Sequence, residues 1–163
     1  MVEAIIDTNV AVIANGQNND VVQSCYNACV RFIITAKASR VIVIDDGDEV
    51  RSEYAKAIAD RRPHELGAHF LFHILNHQYD PAKVRRVALT KDGNGNFIDF
   101  PNVPELSTFN HSDRKFAALS KNTGIEVTHA ADSDWCDFLT PLQANGINIT
   151  HLCGADPTQW FKP

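Results

Sequence analysis

An α/β fold built on a mostly parallel sheet is what this sequence predicts, and three observations predict it. Short apolar runs at Ala4 to Asp7, Val41 to Asp45 and Ile125 to Thr128 have the length and composition of buried strands. Stretches with apolar residues at helical spacing separate them. The 163 residues, 44% hydrophobic and 21% charged, suffice for one core and are too few for two ordinary domains. Strands alternating with helices need crossover connections, which are right-handed and make the sheet parallel.

Taken in order, the first strand ends at Asp7, and Asn19 or Asp20 caps a helix through Val22, Tyr26, Val30 and Ile33. After Val41 to Asp45 come helices over Asp46 to Asp60 and His64 to His77, the second opening after Pro63. Phe70, Leu71, Phe72 and Ile74 are read as core of that second helix, while His69, His73 and His77 form a stripe on an exposed or hydrogen-bonded face. Val84 to Phe100 reads as an antiparallel hairpin around Asp92-Gly93-Asn94-Gly95, an edge or lid inserted in the fold. Pro101 and Pro104 then mark a loop. Asn110 or Ser112 caps a helix carrying Phe116, Ala117 and Leu119 that stops at Gly124. The third strand follows, Ser133 starts a helix that runs to Gly146, and Ile147 to Leu152 alternates as a fourth strand. The chain therefore reads as one domain over residues 1–163, with an inserted helix plus hairpin at about 64–110.

Fifteen Lys plus Arg against twenty Asp plus Glu leave a net charge of −5, so no overall positive field draws the chain to nucleic acid or anionic membrane. Any polyanion must meet a local basic patch or a metal. No apolar stretch reaches bilayer length, and the start MVEAIIDTNV lacks the basic opening and long apolar core of a signal peptide. A cytoplasmic location without membrane contact is expected, with Cys25, Cys29, Cys136 and Cys153 as free thiols.

In an open parallel sheet the functional crevice lies beyond the carboxyl ends of the strands, which gives weight to acids placed there. Asp7 ends the first strand. Asp45, Asp46 and Asp48 follow the second, with Glu49 and Glu53 in the next helix, and Asp132 and Asp134 follow the third. Asp113 stands in the first turn of a helix that leads into that third strand. Acids in first turns are also favoured simply as caps and dipole partners. Two carboxylates about 4 Å apart repel by roughly 4 kcal/mol at an effective dielectric near 20, so a converged cluster calls for cations. Hard oxygen ligands at a sheet edge suit Mg²⁺ or Mn²⁺.

Ile5-Ile-Asp-Thr-Asn-Val-Ala, together with Glu53 in Val50-Arg-Ser-Glu-Tyr, Asp113 in Ser112-Asp-Arg-Lys-Phe-Ala-Ala, and Asp132-Ser-Asp-Trp, resembles the PIN-domain nucleases. The four blocks match in order and spacing across nearly the whole chain. The resemblance implies a three-layer α/β/α sandwich with about five strands in the order 3-2-1-4-5. It also implies one or two Mg²⁺ or Mn²⁺ ions held by Asp7, Glu53, Asp113 and Asp132, with Asp134 an adjacent candidate. Asn9 would orient the first Asp, and Ser112 would add a polar contact. The implied activity is hydrolysis of phosphodiester bonds in RNA, with single-stranded DNA as a second substrate class. Toxins of the family work with an antitoxin, so an antitoxin or other protein partner, and a homodimer, belong to the same expectation. The chain departs from the small toxins in its length and in the segment from His64 to Asn110.

Arg114-Lys115 and Lys83 with Arg85-Arg86 are the basic candidates for phosphate contact, the latter as a basic hairpin beside the rim; Arg61-Arg62 reads as a solvated helix face. His111 and His129 flank the acids as candidates for proton transfer. Two other readings compete with the nuclease. One is a PIN-like module that holds RNA or protein without turnover. The other is a phosphatase with an Asp nucleophile, disfavoured because Asn9 stands where a second Asp would be.

Overall fold

The computed structural model describes residues 1–62 and 65–163. Its centre is strand β1, Val2–Ile6, whose Ala4, Ile5 and Ile6 are buried. A short helix α1, Thr8–Ala14, follows at once and leads to the long helix α2, Gln23–Ser39. Strand β2, Arg40–Asp45, lies parallel to β1 with Ala4 opposite Ile42. Helices α3, Glu49–Ala57, and α4, Leu66–His77, then carry the chain to strand β3, Val84–Val87. After a long excursion, helix α5, Arg114–Thr123, precedes strand β4, Val127–His129. Two short helices, α6, Asp134–Asp137, and α7, Leu139–Ala144, connect it to strand β5, Ile149–His151.

The five strands are all parallel and ordered β3-β2-β1-β4-β5. Right-handed crossovers then put helices on both faces, giving three α/β/α layers. The direction of winding decides where a crevice opens. From β1 the chain steps outward to β2 and β3, then returns over both strands to place β4 on the other side of β1. The order reverses between β1 and β4, and crevices in open sheets form at that reversal.

Several elements differ from expectation. Val84–Val87 is not one arm of a hairpin but a parallel edge strand, with Val43 opposite Arg85 and Asp45 opposite Val87. Val84 and Val87 are buried, so the run finds its partner in β2 rather than in the segment following it. The Asp92–Gly95 turn does form: Lys91 and Phe97 make an antiparallel bridge, and Asp92 Oδ1 accepts the backbone N–H groups of Asn94 and Asn96 at 2.9 and 3.0 Å. The expected capping of α2 by Asn19 or Asp20 is replaced by an N-cap at Val22 without a side-chain bond. Here the C-terminal tail intervenes, since Val21 bridges to Phe161 and the Val22 N–H donates to the Trp160 carbonyl at 2.8 Å.

The helix expected from Asp46 begins three residues later, because buried Asp45 accepts the N–H groups of Glu49 and Val50 at 2.9 and 2.8 Å. The helix expected from Ser133 to Gly146 breaks at Phe138. Phe70, Leu71 and Ile74 are core as expected, whereas Phe72 is 40% exposed. His69, His73 and His77 lie along the outer side of α4, with His77 Nδ1 2.8 Å from the His73 carbonyl. The expected opening of α4 after Pro63, at His64, lies outside the described residues.

Cysteine usage also departs from expectation. Cys25 and Cys153 form a disulfide that ties the chain after β5 to α2, while Cys29 and Cys136 are free. Among the described residues, no helix is long and apolar enough to cross a membrane.

Candidate metal centre

The winding reversal determines which residues meet. Asp7 leaves the carboxyl end of β1, and Asp132 follows the carboxyl end of adjacent β4. Between His129 and Asp132 the chain turns through Ala131, whose φ of 51° is a conformation that residues with a Cβ seldom adopt. Asp113 closes a 3-10 turn, His111–Asp113, immediately before α5. Asn110 caps that turn, its Oδ1 accepting from both Ser112 N and Ser112 Oγ. Carboxylate oxygens of Asp7, Asp113 and Asp132 come within 4.8 Å of one another.

Around this triad the neighbours are ordered. Asn9 reaches both sides, its backbone N–H donating to Asp7 Oδ2 at 3.3 Å and its Nδ2 to Asp132 Oδ2 at 3.5 Å. Asp132 also accepts the Asp134 N–H at 3.1 Å. Glu53 on α3 accepts the Thr8 hydroxyl at 2.6 Å and forms an ion pair with Lys115. Asp134 is half-buried at the start of α6 and is not one of the three converging acids.

Electrostatics mark the triad as costly. Burial pushes the Asp7 carboxyl well above its ordinary range, and the charges of Asp113, Asp132 and Glu53 push the same way against the Asn9 hydrogen bond. Asp113 is raised to about 7, first by burial and then by Asp132, Glu53 and Asp134, with Lys115 opposing. Burial raises Asp132 as well. Asp113 Oδ2 is buried and accepts no hydrogen bond among the described residues. An acceptor left in that state costs about 1–3 kcal/mol, and a divalent cation removes both that cost and the repulsion.

The basic candidates are distributed differently. Lys115 is buried, donating to the Ser112 carbonyl and paired with Glu53, so its charge serves the acids rather than solvent. Arg114 lies over the Phe100 ring at 4.8 Å, donates to the carbonyls of Ser107 and Phe109, and borders a cleft of about 480 Å³. Lys83 stands at the amino end of β3, opposite the acidic rim. Arg85 pairs with Glu3, and Arg86 with Asp48 and the Asp46 carbonyl. The basic hairpin expected beside the rim is therefore a strand whose arginines are satisfied by the protein's own acids. His111 is exposed near the rim, whereas His129 is fully buried and held neutral, its pKa pushed down to about 3 by burial and by His151.

Tyr54 has no role among the sequence-based expectations, and Thr8 enters them only as a hydrogen-bonding group beside Asp7. Thr8 orients Glu53, and Tyr54 lies buried beneath the acids with its hydroxyl donating to the Ile6 carbonyl. Thr8 follows Asp7 directly in the first acidic block, which is its only signal; nothing in the sequence distinguishes Tyr54 from any other core aromatic.

No family model matches the chain, and no curated protein or solved structure matches it either.

Proposed function

We propose that this protein is a metal-dependent nuclease, resembling the PIN-domain endoribonucleases, that hydrolyses phosphodiester bonds in RNA at the Asp7–Asp113–Asp132 centre. The observation that carries this reading is the convergence of buried Asp7 and Asp113 with half-buried Asp132 at the winding reversal, one oxygen of Asp113 lacking a partner among the described residues. Hard, anionic donors in that number fit Mg²⁺ or Mn²⁺, which bind through a few carboxylates together with substrate phosphate. Asp7, Asp113 and Asp132 would hold the ion, with Glu53 and Asp134 at the margin adding negative charge. Bound there, such an ion supplies Lewis acidity for water and phosphate.

The chain's own residues prepare that centre. Asn9 donates to both Asp7 and Asp132, and Thr8 donates to Glu53. Lys115 offsets part of the acidic charge without filling the triad. A cavity lined by Ser52, Glu53, Lys56, Ser112 and Lys115 offers a phosphodiester chain a place beside the acids, and Arg114 and His111 border neighbouring clefts.

The test is cleavage of mixed-sequence RNA and single-stranded DNA with Mn²⁺, with Mg²⁺ and with chelator, comparing the parent with Asp7→Asn. Metal-dependent cutting lost in Asp7→Asn is the expected result. RNA binding by a parent chain that cuts nothing would replace the nuclease with a binding module. A cytoplasmic location and an antitoxin-like partner belong to the same proposal, the partner alone following from its family resemblance.

A further inference from the structure

A second convergence of ligand atoms lies on β4, α6 and β5, built from a different class of donor. His129 ends β4, His151 ends β5 opposite it in register, and Cys136 sits in α6. One ligand atom from each comes within 4.8 Å of the other two. His129 Nε2 is 2.6 Å from His151 Nδ1, and Cys136 Sγ is 3.6 Å from that same Nδ1. The Cys136 thiol has one further contact, a long one of 3.8 Å to the Ala155 carbonyl. No lysine or arginine pairs with the group among the described residues, and His129 Nδ1 is buried without a partner.

We propose that His129, Cys136 and His151 form a zinc site, separate from the acidic centre. Two imidazoles and a thiolate are the donor set that selects Zn²⁺ over Mg²⁺ or Mn²⁺. The distances suit it. Bonds of about 2.05 Å to nitrogen and 2.3 Å to sulfur at a tetrahedral ion place N and S about 3.55 Å apart and two nitrogens about 3.35 Å apart. The observed sulfur–nitrogen separation of 3.6 Å already meets this, and the nitrogen–nitrogen separation of 2.6 Å must open by under 1 Å. A side-chain rotation of half-exposed His151 supplies that movement. His129 cannot yield so easily, since it lies between Trp135 and Trp160 with ring centroids at 6.2 and 5.9 Å.

The state of the two imidazoles and the access to the group agree with the geometry. Both imidazoles are already favoured in the neutral form that a metal requires, His129 by burial and by its neighbour His151, and His151 by burial. Binding displaces one proton, from the Cys136 thiol, as the sulfur–zinc bond forms. Cys136 and His151 are both partly exposed, leaving an entry route and a fourth position for water. The ion would tie β4, α6 and β5 together on the segment that also carries Asp132.

Cobalt reports this donor set directly. The full chain, stripped with chelator and with its Cys25–Cys153 disulfide intact, is titrated with Co²⁺ and then with Zn²⁺. The expected result is one equivalent of tetrahedral Co²⁺ with a thiolate charge-transfer band, displaced by Zn²⁺. Cys136→Ser abolishes the band, and His151→Gln weakens Zn²⁺ binding by about 100-fold or more, beyond what loss of an outer partner costs. Asp7→Asn and Cys29→Ser leave the spectrum unchanged, which separates this site from the acidic centre and from the thiol beside the disulfide. Absence of the band in the parent overturns the proposal, as does a band that survives Cys136→Ser. Cadmium-113 NMR of the parent reads the donors without any substitution: a resonance in the sulfur-ligated range is expected beside any from the acidic centre, and its absence overturns the proposal equally.

Discussion

Asp113 concentrates the conflict at the acidic centre in a single side chain. Its carboxyl is held at about 7, against an ordinary value of 3.8, because it is buried beside Asp132 and Glu53. Between those two values the folded protein keeps a proton that the unfolded chain has released. The folded state then binds more protons, and stability falls as pH rises through that window. Asp113→Asn removes this effect. With chelator present, the variant is expected to exceed the parent in stability by on the order of 2 kcal/mol at pH about 7.5, with the gain gone near pH about 4. Urea unfolding at the two pH values measures it, and a gain independent of pH would contradict the account. Saturating Mn²⁺ should stabilise the parent and not the variant. That Asp113 joins the acidic cluster was legible from its block, Ser112-Asp-Arg-Lys, but its separation from Asp45 was not. Both are buried acids beside a helix start, and Asp45 spends both oxygens capping α3.

At the scale of elements, the approach of α4 to α1 sets how the helical layer closes beneath the site. Gly67 makes that approach possible, since a Cβ there would stand 2.6 Å from the Ala11 carbonyl oxygen and from Asn15 Cβ. Asn15 locks the contact, its Oδ1 accepting the Ala68 N–H at 3.0 Å and its Nδ2 donating to the Asp60 carbonyl at 2.9 Å. Gly67→Ala is thus expected to cost about 1–3 kcal/mol by overpacking, although alanine is the better helix former by about 1 kcal/mol. Thermal unfolding decides the sign. A higher melting temperature would mean the two helices part without penalty. Helix spans such as α2 and α5 were readable from apolar spacing, but α1 was not. It has 7 residues and follows Asp7 directly at the end of β1, too short a run for helical spacing to show.

For the molecule as a whole, the disulfide closes a loop between residues 128 positions apart and fastens the tail that caps α2. The chain-entropy model assigns such a closure about 5 kcal/mol, an upper figure for what reduction would cost. Cys153→Ser should therefore lower the denaturant midpoint by the equivalent of about 2–5 kcal/mol, and reductant should bring the parent to the same value. Equal stability with and without reductant would show that the tail is held by Trp160 and Phe161 alone. Alternating apolar runs and helical spacing were enough to specify a parallel α/β sheet and to place acids at its carboxyl edge, because burial periodicity and cap chemistry are local properties of the chain. Long-range geometry settled the remainder. Whether Val84–Val87 pairs with its sequence neighbour or with β2, which three acids converge, and that His129 meets His151 and Cys136 all depend on strand order and register, which bring together residues that no local pattern connects.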